Sequence, residues 1–569
     1  MNYLKKNTFF FFILLISVST ILYTCSKEDE VEKELEEEVI ENPDPEPDPD
    51  PDLDILPQPN VDPDKVVTIN TGSAVGEFYN FWSTRPMINQ SRFNAPGFRT
   101  SLNTIKDYVK SYNLVRTMGG RTDNLNDFYK GVDASGNIIT DFSELISTMR
   151  NFRSTGFKPR IVLSKVPWEM VAVKIVNTYG NTSPPDDYNL WRQYVNAFLT
   201  TLVNEFGMSE VKTWRFRVST EPNYTPNHWN GTMQEYFKHY DITVDEVLKV
   251  IPDAIIGPGN MLTEGAATYT TQLIDHCATG TNYATGATGT KMDFFSISYY
   301  EKIDKNTVAL PQLIEPYRNK LNSYSQFSNI PLDIQEFGML RDENGVRGVS
   351  LTDATELGAS WYARVADLAF EYRITEIYDW GQEIESVNSS NLPQGRRNVT
   401  KMFQKIEGGN RLVAIDNLSS TVHAGVIPVT KNGNIYLLVY NHNTSRNSTS
   451  KRTFFPQLEG GEITSNTRWK INEWTVDKEN SIVMHELYKD IRAAGVSEKT
   501  NGRIYGNRPS DRFEDGWKNV LTSNLSKYED LAKLSKTITD KFVEKKDGKL
   551  TLEVKLEPHS VKLIELIPE

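Results

Sequence analysis

The chain has little cysteine, little histidine and no surplus of basic residues. Its two cysteines are Cys25 and Cys277, and Cys25 lies at the end of an N-terminal apolar segment. That leaves one spare thiol and predicts no disulfide. Seven histidines without clustering, and the absence of any C-x-x-C pair, argue against a structural zinc site, so no metal is expected. With 62 Lys and Arg against 75 Asp and Glu there is no basic stripe and no nucleic-acid-binding motif, which argues against a nucleic-acid partner. The apolar run Phe9–Tyr23 is too short for a comfortable membrane span. No glycine-rich phosphate loop follows the first apparent strand, which disfavours a doubly wound nucleotide-binding sheet.

What is present begins at the N-terminus. Lys5 and Lys6 precede the run Phe9–Tyr23, the layout of a signal peptide spanning 1–24. The run ends in Leu22-Tyr23-Thr24-Cys25, which resembles a bacterial lipobox. The resemblance implies cleavage before Cys25, lipid on its thiol and a membrane partner through that anchor. Residues 26–65 then hold 17 of the acidic residues against Lys27, Lys33 and Lys65. They account for the net charge of −13, and the rest of the chain is nearly neutral. The repeat Pro43-Asp44-Pro45-Glu46-Pro47-Asp48 buries little and repels itself, so residues 25–65 read as an extended stalk. Acidic residues directly after a lipidated Cys also resemble a surface-export signal of Gram-negative lipoproteins, which implies a surface-exposed place on the outer membrane.

From 66 to 407 short apolar runs alternate with amphipathic stretches. Leu114–Arg116, Pro159–Leu163, Thr213–Val218, Ala254–Gly257, Phe294–Ile297, Leu332–Ile334 and Thr375–Tyr378 read as strands. Between them, Trp191, Tyr194, Val195, Phe198 and Leu202 recur at helical spacing. This alternation over roughly 340 residues suits an α/β fold of the (β/α)8 TIM-barrel type. From 408 to 569 the pattern turns to short alternating or apolar strands such as Ile435–Tyr440 and Trp469–Val476, predicting a C-terminal β-sandwich domain. Val66–Ile69 is placed to add a strand to it.

Two glutamates stand at apparent strand ends. Thr213–Val218 runs into Ser219-Thr220-Glu221-Pro222-Asn223, and Pro331–Ile334 runs into Gln335-Glu336-Phe337-Gly338. In a barrel the C-terminal strand ends face the active site. Two carboxyl groups there are what glycosidic cleavage requires: one protonates the leaving oxygen, the other attacks carbon or activates water.

These motifs resemble the clan A glycoside hydrolases and, within them, family 39, which includes β-xylosidases and α-L-iduronidase. Phe81-Trp82, Val115-Arg116 with Gly119-Gly120, Gly257-Pro258-Gly259 and the closing Pro558–Leu566 extend the likeness over residues 66–569. The resemblance implies that Glu221 is the acid/base of an Asn-Glu-Pro-Asn-like motif and that Glu336 is the nucleophile of a retaining hydrolase needing no cofactor. Asn223, Tyr300 and Arg116 are then expected to orient nucleophile or sugar, and Trp380 to floor the subsite. Trp168, His228, Lys165 and Trp229 lie on loops where substrate contacts belong. Two positions depart from the family pattern. Thr220 replaces the Asn that contacts the sugar 2-hydroxyl, and Ser298-Tyr299-Tyr300 lacks the His of His-x-Tyr. The expected substrate is a plant or algal polysaccharide or its oligosaccharides, cleaved in β-xylosidase fashion. An endo-hydrolase of agar, porphyran or carrageenan and a non-catalytic glycan-binding surface lipoprotein are the alternatives. Arg85, Arg116, Arg121, Lys165, Arg215 and Arg217 near strand ends would suit an anionic glycan.

Overall fold

A computed structural model describes residues 54–87, 89–121, 127–177, 180–263, 267–302, 310–340, 354–379, 392–416, 424–500 and 509–569. Cys25, most of the acidic stalk and Trp380 lie outside the described residues.

Eight strands build the barrel: β1 Thr84–Met87, β2 Ser111–Leu114, β3 Lys158–Leu163, β4 Arg215–Val218, β5 Ile255–Pro258, β6 Phe295–Lys302, β7 Leu332–Leu340 and β8 Ile374–Asp379. Neighbours run parallel from β1 to β5 and again from β6 to β8. Asp293 N donates to Ile256 O at 2.9 Å across the β5–β6 seam, and Ile377 N donates to Phe81 O at 2.8 Å to close the ring. A parallel barrel buries its strands on both faces, so apolar and β-branched side chains are favoured there. Ile161, Val162, Phe216, Val218, Ile256, Ile297, Ile334 and Ile377 are all buried. The helix Tyr188–Phe206 lays Trp191, Tyr194, Val195, Phe198 and Leu202 into this core, following their three- and four-residue spacing.

One helix start bears directly on the site. Met233–Val250 opens with a capping box in which Glu235 N donates to Thr232 Oγ1 at 3.2 Å and Thr232 N to Glu235 Oε2 at 2.6 Å. This helix carries Tyr236, whose hydroxyl donates to Val218 O at 3.0 Å and accepts from Gly259 N at 3.1 Å. A Cβ at Gly259 would stand 2.9 Å from Pro222 Cδ and 3.1 Å from Val218 O. Only glycine lets the ends of β4 and β5 approach this closely.

The C-terminal region is a ten-stranded mixed sheet. Its first strand comes from before the barrel. Val66–Glu77 lies between Asn410–Asp416, which it pairs antiparallel, and Arg452–Glu459, which it pairs parallel. The barrel's own elements therefore start near Phe78 rather than at 66. Strands along the whole sheet feed one apolar cluster, with Val67, Leu437, Phe454, Trp469, Val543 and Ile564 among its members. Sequence patterning missed a helical insertion between Arg468–Val476 and Lys536–Glu544. It comprises Met484–Ala493, Pro509–Arg512, Trp517–Ser523 and Leu525–Ala532. These helices are too short to show a long periodic signal and are stabilised by packing. Leu487, Ile491, Trp517 and Tyr528 form their small core with Ala354 and Leu392. Asn398 Nδ2 donates to Ser481 O and Ala532 O, both at 2.9 Å, tying the ends of the insertion to the barrel.

Candidate active site

Glu221 sits on the turn after β4, where Ser219 (φ 69°) and Glu221 (φ 40°) both adopt left-handed backbone conformations. Such conformations persist when the surroundings over-determine them. Here Glu221 N donates to Asn260 O at 3.0 Å and Tyr224 N donates to Glu221 O at 2.8 Å. Asn223 completes the clamp, accepting from Leu262 N at 2.9 Å and donating to Leu262 O at 2.8 Å. Its amide braces the β4 turn against the segment after β5. Asn223, expected from sequence to orient nucleophile or sugar, thus acts on the Glu221 turn.

Glu336 lies within β7, which continues to Leu340 instead of ending at Ile334. The ladder with β6 slips between Ile297 and Ser298, and that with β8 slips between Ile334 and Phe337. Irregularities of this kind re-aim a side chain. Tyr300 hydroxyl donates to Glu336 Oε1 at 2.6 Å, and Asn260 Nδ2 donates to Oε2 at 3.3 Å. The other proton of Asn260 Nδ2 goes to Ser298 Oγ at 2.6 Å, and the Ser298 side chain lies on the Glu221 side, where it favours the ionised carboxyl. Asn260 thus ties the two carboxyl-bearing segments together, accepting from Glu221 N with its carbonyl and donating to Glu336 and Ser298 with its amide. Ser298 occupies the place of the missing His. Asn260 was not singled out from sequence, although it directly follows the recognised Gly257-Pro258-Gly259.

Burial and the neighbouring Glu336 charge push the Glu221 carboxyl up to about 8, against the opposing effect of Ser298, Arg217 and Lys165. His228 Nε2 stands 3.5 Å from Glu221 Oε2. Burial, with Lys165 and Arg116 nearby, holds this imidazole well below its ordinary range. Lys165 Nζ donates to His228 O at 3.4 Å. Burial and Arg116 bring its ammonium down to about 7, with Glu221 opposing. Arg217 joins the two carboxylate-bearing strands: Nη2 donates to Thr220 Oγ1 at 2.9 Å and Nη1 to Gln335 Oε1 at 3.0 Å.

The remaining sequence-predicted residues divide clearly. Arg116 lines a cavity of about 240 Å³ beside the strand ends, together with Arg121, Gln90 and Asp127. Trp168 is buried; its indole donates to Arg121 O at 3.2 Å and its backbone N–H to Asp127 Oδ2, so it braces the rim. Trp229 packs edge-on against Tyr236. Two of the arginines are remote from the carboxyl pair. Arg85 is fully buried and donates to Trp82 O at 2.6 Å, while Arg215, at the start of β4, pairs with Asp333 and Glu376.

Residues 65–363 match the glycosyl hydrolases family 39 domain. The chain is 24% identical over 358 residues to an α-1,4-L-rhamnosidase of Formosa agariphila, covering 59% of this chain and 70% of that one. It is 28% identical over 241 residues to a β-xylosidase of Caldicellulosiruptor saccharolyticus, covering 41% of this chain and 46% of the xylosidase, so it spans about half of that relative's length. The family 39 enzyme from Xanthomonas axonopodis pv. citri superposes with a TM-score of 0.65 at 14% identity, over 89% of this chain and 97% of that one, which shows the shared fold. With the matched domain covering more than half of its length, the chain belongs to glycosyl hydrolases family 39 and is a glycosidase.

Proposed function

We propose that the chain cleaves glycosidic bonds of a plant or algal polysaccharide, or its oligosaccharides, by double displacement, with Glu336 as nucleophile and Glu221 as acid/base. The observation that carries this reading is the pairing of two strand-end carboxyl groups through Asn260, which accepts from Glu221 N and donates to the Glu336 that Tyr300 holds at 2.6 Å; burial and the Glu336 charge keep Glu221 protonated. Glu336 attacks the anomeric carbon as the bond to the leaving oxygen breaks, and Glu221 gives that oxygen its proton. The glycosyl ester removes the Glu336 charge, which lowers the affinity of Glu221 for a proton. Glu221 then takes a proton from water, whose oxygen attacks the anomeric carbon and frees Glu336. Tyr300 and Asn260 orient the nucleophile and stabilise its charge when it returns.

The two relatives are named for rhamnose and xylose, and β-xylosidase-like specificity follows the second. Arg116 and Lys165 on the Glu221 side support a substituted or anionic glycan as the natural substrate. Reducing-sugar release and product sizing on xylan, ulvan, agar, porphyran and carrageenans, with aryl β-xyloside and aryl α-rhamnoside alongside, tests this. Absence of products from every glycan would sink it, and activity retained by Glu336→Gln would remove Glu336 from the mechanism.

The ten-stranded sheet, whose strands share one apolar cluster from both ends, is read as a sheet folded over into a sandwich. The lipobox-like Leu22–Cys25 and the acidic stalk support a lipid-anchored enzyme on the outer membrane.

A further inference from the structure

Behind the nucleophile a buried chain of contacts leads to the C-terminal sheet. Successive residues of a strand point to opposite faces. On β6, Tyr300 faces Glu336, and the next residue, Glu301, faces outward, where it is 8% exposed. Glu301 Oε2 accepts from Trp361 Nε1 at 2.7 Å and from Tyr299 hydroxyl at 3.4 Å. Glu301 Oε1 lies 3.9 Å from His442 Nε2. His442 follows the sheet strand Asn434–Asn441 and is 2% exposed. Its Nδ1 is 3.0 Å from Ser360 Oγ, whose hydroxyl donates to Leu357 O at 3.1 Å. Ser360 Oγ therefore accepts from the Nδ1 proton, which leaves Nε2 turned toward the Glu301 carboxylate. Trp361 also reaches the second strand, since its ring lies on Phe337 at 4.5 Å with planes 4° apart. Phe337 is the residue after Glu336. One indole thus holds, from outside the barrel, the residue following each member of the Tyr300–Glu336 pair.

Isolated buried carboxylates are costly, and His442, Trp361 and the nearby Arg364 charge together keep Glu301 ionised in place. The same contacts limit how far the β6 and β7 ends can shift against each other, and that relative shift sets the Tyr300–Glu336 distance. We propose that His442 is a positioning residue of the glycosidase site: it fixes Glu301, and through Glu301 and Trp361 it fixes the strand ends on which Tyr300 and Glu336 meet. This rests on the reading of Glu336 as nucleophile. None of the three buried groups needs to touch the sugar, so the effect falls on turnover rather than on substrate affinity.

The test compares His442→Ala, His442→Gln and Trp361→Phe with the wild-type full chain, measuring kcat and KM separately on a glycoside the wild type cleaves, with a thermal melt of each protein. A small displacement of a reacting group from afar costs up to about a hundredfold in rate, so His442→Ala should lower kcat by roughly tenfold to a hundredfold with KM little changed. His442→Gln, which keeps an N–H donor, should recover part of that loss. Trp361→Phe keeps the stack on Phe337 and removes only the donor to Glu301, and it too should lower kcat. A folded His442→Ala with wild-type kcat overturns the proposal and leaves the nucleophile assignment standing. Should His442→Ala fail to fold, wild-type kcat in Trp361→Phe overturns it equally. A wild type that cleaves no glycoside, or an active Glu336→Gln, overturns the site reading and this proposal with it.

Discussion

Glu221 keeps its proton because burial and the Glu336 charge both penalise its ionised form, which places its titration at about 8. The basic limb of kcat/KM should therefore fall near pH 8 and vanish in Glu221→Gln, as a pH–rate profile will show. For substrates with poor leaving groups, Glu221→Gln should cost on the order of 10²–10⁴-fold, and far less for activated aryl glycosides, whose leaving oxygen needs no proton. Equal losses on both substrate types would refute the assignment. Stability follows the same carboxyl. Its pKa is raised from the ordinary 4.5 to about 8 in the folded chain, so below 4.5 both states hold the proton. Between 4.5 and 8 the unfolded chain gives it up while the native state retains it, and stability falls as pH rises through that window. Glu221→Gln should flatten this slope in thermal melts taken across it. At Thr220 the hydroxyl oxygen accepts from Arg217, leaving one proton to offer a sugar where an amide would offer two. Thr220→Asn should raise activity on a simple aryl β-xyloside relative to the natural oligosaccharide. High wild-type efficiency on that xyloside, unchanged by the substitution, would make the Thr neutral.

Strand ends meet here through a few polar cross-links. Arg217 on β4 reaches Thr220 on its own turn and Gln335 on β7, so a single guanidinium registers the two strands bearing the carboxyl groups. Lysine has a point charge and no planar fork, and it cannot make both bonds in this geometry. Arg217→Lys should lower kcat by about tenfold to a hundredfold while the protein still folds, as kinetics and circular dichroism will show. Much of this level was legible beforehand: apolar runs marked the strands, and Trp191, Tyr194 and Phe198 marked their helix. The bulge that places Glu336 inside β7 was not, because a one-residue slip depends on the partner strands and leaves no local signal. Asn260 escaped for the same reason, since its value lies in distances to Ser298 and Glu336 across two other strands.

Barrel and sheet form a joined body in which Val66–Glu77 precedes the barrel in the chain yet pairs within the C-terminal sheet. The helix Glu356–Glu371 stands between them: Asp367 accepts from Tyr440 hydroxyl at 2.7 Å, and Ser360 meets His442. Burial raises the Asp367 carboxyl to about 6, with Tyr440 opposing, so this contact too belongs to a closed interior. The proposed anchor acts on the whole molecule. Cys25→Ser should shift the protein out of the membrane fraction or leave its precursor unprocessed, as fractionation and mass spectrometry of the N-terminus will show. An unmodified mature N-terminus at another residue would discard the anchor.

The sequence alone determined the class of fold, the two glutamates and the chemistry they suit. Strand–helix periodicity and a Glu at each of two strand ends are local properties of the chain. Tertiary structure decided which side chains surround them. It turned Asn223 into a brace, sent Arg85 and Arg215 away from the site, drew Asn260 and Ser298 between the carboxyl groups, and set Glu301 against His442. Apart from Arg85, these outcomes depend on residues tens to hundreds of positions apart being brought within hydrogen-bonding or ion-pair distance, which only closure of the barrel and, for Glu301 and His442, its packing against the sheet can do.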